Sequence, residues 1–546
     1  MQRSESKIRP ELELTLCCSQ SKLDIAAVQR ILLLLRRGVD WQEVVACVLQ
    51  HRVASLVFTN LSALGEELVP PVWHEALRQE AHEIERSHAA RFAEVRNVSE
   101  AFAVAEIPIL PYQVPVLNWL TSRHARERAF VDLEVMIQQV NMPRAGAILA
   151  GLGYQPGLNL GGDDKTDAGP NSWFLFHRQH RTIAVHTEQT LQYFPEMTEL
   201  HQLSRNLRVF EFGNGKIVSP SLEHLLFMIC VNGTLNFWDR LSYVSEVSNL
   251  VQSSPVDWAY AKSVASRFKA TRMLLLGAYL AHQVLGAVLP AEVVSEVRAD
   301  VSIQRSATSV EEKLTGGDLS SRSAFNRAAF RIRSRDTLHA GVSHTLHLAI
   351  TPIRGESETG TLSSKKYLLY QIAHRPLRLL REYGVGLHQR WRTDLSGFSA
   401  TPQELIDRAL QLVNVKPNDV LYDLGCGDGQ VVISAAKHFG IHAVGVDINP
   451  VRISDARTNA RKACVQHSVE FLVQDAKQCD VSMATIVWLN VDRFGSLRLL
   501  ENLRLQLRPG ARVLSHTFPI IGWPSIKQEL VTLSDGTQKP IFLWRI

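Results

Sequence analysis

The stretch Val420-Leu421-Tyr422-Asp423-Leu424-Gly425-Cys426-Gly427-Asp428-Gly429-Gln430 allows few folds. Apolar and aromatic residues flank one acid, as in a buried strand. Three glycines then alternate with small or polar residues. A strand that ends in such a turn and opens a helix lets a ligand approach the backbone where a side chain would block it. The residues after Thr401 continue in the same style. The pattern predicts a lead-in helix over 405–413, a strand over 419–424 and a helix over 429–439. A second strand over 443–446 ends at Asp447, and a helix covers 450–464. Strands follow over 469–473, ending near Asp475, and over 484–489, then a helix over 497–507 and a strand at 512–514. Segments 526–533 and 540–544, joined by Asp535-Gly536, predict a terminal hairpin. Five parallel strands with crossovers and a hairpin make an α/β, doubly wound, Rossmann-like sheet.

A G-x-G-x-x-G turn alone is ambiguous among dinucleotide and other α/β enzymes. Here an acid, Asp423, stands two residues before the first glycine, and Asp447 ends the second strand 24 residues further on. An acid there can accept hydrogen bonds from two ribose hydroxyls, and no arginine beside it suits a ribose phosphate. In this combination the segment resembles the class I S-adenosylmethionine-dependent methyltransferases. The resemblance implies S-adenosylmethionine as cofactor. It puts the backbone from Gly425 through Cys426 and Gly427 to Gly429 under the methionine part, with Asp423 orienting the ammonium group. Asp447, with Ile448 beside it, takes the ribose, and Asp475 with Ala476 borders the adenine. Phrases such as Thr401-Pro402-Gln403-Glu404 and 507–516, L-R-P-G-A-R-V-L-S-H, are similar to bacterial relatives of mitochondrial protein-lysine methyltransferases. That implies a peptide or protein acceptor, a lysine amine or a carboxylate, although a small molecule stays open.

The chemistry asks the protein to align an acceptor lone pair in line with the methyl group. Asn490 follows the fourth strand, at the carboxyl end of the sheet where acceptors are positioned; a turn-forming Asn that caps the next helix is the alternative. Glu404 and His516 are candidate deprotonating or orienting groups. A histidine satisfied at a strand end explains His516 equally well.

At 546 residues the chain must hold more than this one domain. The net charge of +5 is a weak argument for nucleic acid or membrane. Seven cysteines with no C-x-x-C pair argue against a disulfide framework or zinc site and fit a reducing cytoplasm. The first residues lack an apolar leader core, and the apolar run 273–285 contains His282 and Gln283 and is too short to span a bilayer.

Residues 1–385 read as a helical lead-in to about residue 105, followed by an α+β region. Apolar spacing predicts helices over 21–38 and from Trp41 to Val53, then a long helix from Val72 to Ala105. Ile107 to Leu110 predicts a short strand. The alternation from Phe130 to Ile137 predicts a strand with Asp132 and Glu134 on one face, an arrangement able to hold a divalent metal. A helix over 144–152 and a strand over 182–186 follow. His51-Arg52-Val53-Ala54, the loop 107–115, Gly153-Tyr154, Trp238-Asp239-Arg240-Leu241 and Arg375-Pro376-Leu377-Arg378-Leu379 together resemble the uncharacterised nucleotidyltransferase family of bacteria. The family's loop lysine and glycine are Gln113 and Val114 here, and its third carboxylate is Ala184. Gln cannot neutralise a phosphate as Lys does. The expectation is therefore a degenerate domain that recognises substrate. Nucleotidyl transfer through Asp132 and Glu134 with a metal, or a scaffold that binds the cofactor without catalysis, are the rivals. The Ser-, Thr- and Gly-rich stretch 302–325 reads as a loop or flexible link, 365–392 as a basic segment that either contacts a polyanion or is a solvated amphipathic helix, and 386–400 as the linker to a methyltransferase domain over 401–546.

Overall fold

The structure, a computed structural model, describes residues 8–107, 109–112, 133–159, 173–178, 181–187, 207–212, 215–315, 324–350, 401–491, 493–516, 519–520, 523–534 and 537–546. The chain forms two compact units, Met1–Val385 and Gly386–Ile546. Residues 113–132 (with Gln113, Val114 and Asp132), the basic segment 365–392, the linker 386–400 and the turn Asp535-Gly536 lie outside the described residues.

The C-terminal unit is built on one seven-stranded sheet. Its strands are β1 (Val420–Leu424), β2 (His442–Asp447), β3 (Val469–Val473), β4 (Ile486–Leu489), β5 (Arg512–His516), β6 (Lys527–Thr532) and β7 (Gln538–Arg545). They lie in the order β3-β2-β1-β4-β5-β7-β6, parallel from β3 to β5, with β7 antiparallel to β5 and to β6. The order reverses between β1 and β4, and ligands of open α/β sheets bind at such a switch point beyond the carboxyl ends of the strands. Side chains alternate across the sheet. Leu421, Ala443, Ile486, Trp488 and Leu514 pack on helices α1 (Gln403–Leu412), α2 (Gln430–Phe439) and α3 (Pro450–Lys462). Leu424, Val446, Val487, Leu489 and Val513 pack on the other side, against α4 (Arg493–Gln506). Both faces are covered, so the central strands read as nearly continuous apolar runs.

In the N-terminal unit the helix predicted over 21–38 spans Ile25–Arg37, and the one predicted from Trp41 to Val53 ends at His51, where Arg52 turns to φ +55°. Asp24 caps the helix Ile25–Arg37, and Gly38, at φ +82°, ends it. The long helix Pro71–Val104 sets Val95, Val98 and Phe102 on a five-stranded sheet through Leu133, Val135 and Ile137. Strand Leu133–Ile137 runs parallel to Arg181–Thr187, and Glu134 is paired in register with Ala184. Ala184, where the resemblance implies a third acid, thus occupies the strand position beside Glu134. Trp238 is fully buried, and its ring occupies the space that a Cβ on Gly233 or Gly277 would need. The Leu241 amide donates to His51 Nδ1 at 3.3 Å. Burial and the nearby Arg240 push that histidine down to about 4. The His51-Arg52-Val53 and Trp238-to-Leu241 phrases therefore meet as a packing joint.

One expectation is corrected. The stretch 302–325 is not a loop throughout, because Val301–Thr315 is a helix. Ile303, Ala307, Val310 and Leu314 recur at helical spacing and are buried, and Asp300 Oδ1 accepts from the amides of Ser302 and Ile303. Buried periodicity outweighs a polar composition. The apolar run 273–285 lies in the helix Thr271–Leu285, and among the described residues no helix is long and apolar enough to cross a membrane.

Candidate functional site

Strand β1 enters the site from a core in which Leu421 and Leu424 are inaccessible to solvent. Gly425, Gly427 and Gly429 then take φ values of +100°, +54° and +86°, a region that side chains other than glycine's adopt at a cost. The amides of Gly425 and Cys426 both donate to the Val446 carbonyl, at 2.8 and 3.0 Å, which folds the turn against the end of β2. A Cβ on Gly429 would stand 2.9 Å from the Phe471 ring, so that position needs glycine for space as well as for φ.

Asp447 closes β2. Its Oδ2 accepts from the Gly427 amide at 3.0 Å and its Oδ1 from the Asn449 amide at 2.7 Å. Each oxygen keeps a second lone pair. Asp423 is buried, and its Oδ1 has no hydrogen-bond partner. Burial, then the charges of Asp447 and Asp428, push its carboxyl well above the usual carboxylate range. Burial likewise keeps the Cys426 thiol protonated, reinforced by Asp423 and Asp447. Ile448 is half-buried directly after Asp447. Asp475 Oδ1 accepts from the Lys477 amide at 3.0 Å and opens the turn Ala476–Gln478. The Gln474 amide donates to the Asp447 carbonyl at 3.1 Å, holding the ends of β3 and β2 together.

Strand register aligns the rest. Leu424 pairs with Val446 and with Leu489, and Leu489 pairs with Ser515. One residue beyond, Asp447, Gly425, Asn490 and His516 form a single row along the carboxyl edge, with strands about 4.8 Å apart. Asn490 Nδ2 donates to Thr401 Oγ1 at 3.0 Å, and Thr401 Oγ1 lies 3.2 Å from His516 Nε2. Burial, with a small contribution from Lys539, holds His516 down near 4, so the ring is neutral at neutral pH. Glu404 stands apart from this row. It is exposed, and its Oε2 accepts from the Ser534 amide at 2.8 Å, tying α1 to the hairpin. Of the sequence candidates, the glycines, Asp423, Cys426, Asp447, Asn490 and His516 converge on one edge. Ile448, Asp475 and Ala476 follow the adjacent strand ends. Thr401, Asn449 and Phe471 join the site without a role read for them in the sequence; Thr401 stood there only in the phrase Thr401-Pro402-Gln403-Glu404.

Comparison with known proteins adds to this geometry. A family model described as the ANTKMT methyltransferase domain matches residues 423–527. A protein-lysine N-methyltransferase of Saccharolobus islandicus is 38% identical over 137 residues, covering 84% of that protein and 25% of this chain. Through its C-terminal unit the chain belongs to the S-adenosylmethionine-dependent methyltransferases. The mouse adenine nucleotide translocase lysine N-methyltransferase is 31% identical to this methyltransferase over 178 residues, 29% of the chain and 71% of that relative. Further animal lysine N-methyltransferases match over less than half of their own length. A solved Salinibacter ruber RNA methyltransferase in complex with S-adenosyl-L-homocysteine shares 39% identity, over 27% of this chain and 94% of that one, at a TM-score of 0.26. The model of an uncharacterised nucleotidyltransferase family matches residues 37–286 of the methyltransferase's N-terminal unit. Among the described residues no group of His, Cys, Asp or Glu is arranged to hold a metal.

Proposed function

We propose that this enzyme methylates a lysine amine of a protein, and that its N-terminal unit selects the substrate. The row Asp447–Gly425–Asn490–His516 carries the reading, because it puts a cofactor-binding acid and an acceptor-side amide on one edge, two strands apart. S-adenosylmethionine supplies a methyl group already activated on a sulfonium. Asp447 has lone pairs to receive two ribose hydroxyls, and Asp475 with Ala476 stands at the end of β3 for the adenine. The backbone from Gly425 to Gly429 admits the methionine part. The partnerless Asp423 Oδ1 fits an ammonium group, since a buried carboxyl oxygen is costly until a donor reaches it. Asn490 accepts from the incoming amine, which must be neutral to attack. The names of the relatives support a protein acceptor. The loss of lysine and acid at Gln113 and Ala184 supports recognition over nucleotidyl transfer. Seven cysteines, none in a disulfide, support a reducing, cytoplasmic setting.

The decisive assay incubates the full chain with methyl-labelled S-adenosylmethionine and a bacterial extract, followed by mass spectrometry of the protein and RNA fractions. Label on lysine is expected. Label confined to RNA, or none while the cofactor still binds, rejects the reading.

Cofactor binding should also be linked to pH. In the free protein the Asp423 carboxyl is held protonated to a higher pH than an ordinary carboxylate. The cofactor's ammonium group favours the ionised form, so binding expels that proton. Affinity should rise with pH as the free protein's Asp423 ionises and level off above it. Calorimetry in buffers of different ionisation enthalpy should register proton release on the acid side. Proton uptake, or none at any pH, contradicts the assignment of Asp423.

A further inference from the structure

Asn490 has two chemically opposite ends, a carbonyl oxygen that accepts and an amino group that donates. Which end meets the acceptor decides whether it can hold an amine. The hydrogen bond that bears on that choice runs to Thr401, 89 residues away, and from there to His516.

The chemistry of this chain of bonds is directional. His516 is buried at the end of β5, 5% exposed, with its ring 6.0 Å from that of Trp488. It is neutral at neutral pH, so one ring nitrogen carries a proton and the other a lone pair. If Nε2 carries the lone pair, it takes the single hydroxyl proton of Thr401. The hydroxyl oxygen then has only lone pairs left, and only the amino end of Asn490 can face it. The carbonyl oxygen is thereby turned to the other side of the planar amide.

Thr401 is well placed to act as a fixed stop. It is buried at 7% exposure, and Pro402 after it restricts its backbone. The first turn of α1 is held from two sides, by Gln403 Nε2 donating to Ser434 Oγ at 2.9 Å and by the Ser534 amide donating to Glu404 at 2.8 Å. This gives Glu404 a place in the architecture as an anchor of α1.

We propose that Thr401 is a positioning residue: backed by His516, its hydroxyl locks the Asn490 amide with Oδ1 presented to the methyl acceptor, which selects an N–H donor such as a lysine amine. The inference rests on the proposed lysine methylation. A hydrogen bond from the amine to Oδ1 aims the nitrogen lone pair at the methyl group. An acceptor with no N–H or O–H to give, such as a carboxylate, would meet the carbonyl oxygen without a bond.

The test uses the full chain, labelled S-adenosylmethionine and bacterial extract protein. Thr401→Val keeps the shape and removes the hydroxyl; it should lower kcat about tenfold or more, an effect of the size of one catalytic hydrogen bond. The KM and the calorimetric Kd for S-adenosylmethionine should stay within about twofold of wild type. Thr401→Ser should restore kcat. Asn490→Ala should be impaired at least as much, and the double variant Thr401→Val/Asn490→Ala should be no worse than Asn490→Ala alone. Wild-type kcat in Thr401→Val, additive losses, or an equal loss of cofactor affinity overturns the proposal. Nitrogen NMR of histidine-labelled protein, with His516→Gln to assign the signal, gives a readout that needs no acceptor. A ring protonated at Nδ1, whose Nε2 shift changes in Thr401→Val but not in Thr401→Ser, supports the inference. A ring protonated at Nε2 overturns it. Absence of methyl transfer by the wild type rejects the proposed function, and the tautomer still decides the orientation.

Discussion

Replacing Asp447 with alanine should weaken S-adenosylmethionine binding roughly a hundredfold or more. A carboxylate that accepts from two hydroxyls makes two charge-assisted bonds, each worth about 1.5–3 kcal/mol net. Losing both costs about 3 kcal/mol at the least, and each 1.4 kcal/mol is about tenfold in affinity. Asp447 also holds the amides of Gly427 and Asn449, so alanine removes a support of the glycine turn together with the proposed ribose contact. Asp447→Asn separates the two. It keeps one accepting oxygen, but its amino group then confronts a backbone N–H, and an intermediate loss of about tenfold is expected. Titration calorimetry gives the affinities, and thermal unfolding without cofactor reports the turn. An alanine variant that folds and binds within threefold of wild type would falsify the assignment of Asp447 to the ribose.

The parts of this site that can be read from sequence are those held by short stretches of chain. The φ values of Gly425, Gly427 and Gly429 are local demands, and glycine at those positions is their direct trace. Asp447 is visible because one crossover separates it from Asp423. The strand order follows from apolar runs broken by helical spacing. What stays hidden depends on register between distant segments. Thr401 reaches Asn490 and His516 over 89 and 115 residues, and no periodicity announces that contact. Glu404 carries the right chemistry for a base, but its helix turns it to Ser534. The helix Val301–Thr315 is masked in the sequence because Ser and Thr are weak helix formers, while its four buried apolar positions settle the outcome.

The largest effect on stability is expected at the opposite edge of the sheet, where Arg512→Ala should destabilise the C-terminal unit by about 3–5 kcal/mol. Arg512 and Asp419 are both buried and paired through Arg512 Nη2 and Asp419 Oδ1. Arg512 Nη1 also donates to the carbonyls of Val413 and Asn414, each at 3.0 Å, at the end of α1. Asp419 accepts further from Thr485 Oγ1 at 2.8 Å and from the Lys416 amide at 2.6 Å. These residues begin or precede β5, β1 and β4, the three strands whose far ends carry His516, Gly425 and Asn490. The pair therefore sets at one edge the register that aligns the site at the other. Alanine leaves Asp419 as a buried charge without its cation. For a unit of this size about 2–4 °C is lost per kcal/mol, so Tm should fall by roughly 10 °C. Replacing both partners, as Asp419→Leu/Arg512→Met, should recover most of that loss, because an apolar pair leaves no charge stranded. The pH dependence has a definite sign. Burial alone would raise the Asp419 carboxyl, but the bonds from Arg512, Lys416 and Thr485 outweigh it and hold the group below the usual carboxylate range. A group depressed in the folded state stabilises above its unfolded pKa, about 3.9, and loses that contribution as pH falls through its folded value. The deficit of Arg512→Ala should thus be full at neutral pH and shrink in acid, where Asp419 takes up a proton in the variant. Denaturant unfolding at pH 7 and below pH 4 measures both. An equal deficit at the two pH values would mean that lost packing, not the stranded carboxylate, destabilises the variant.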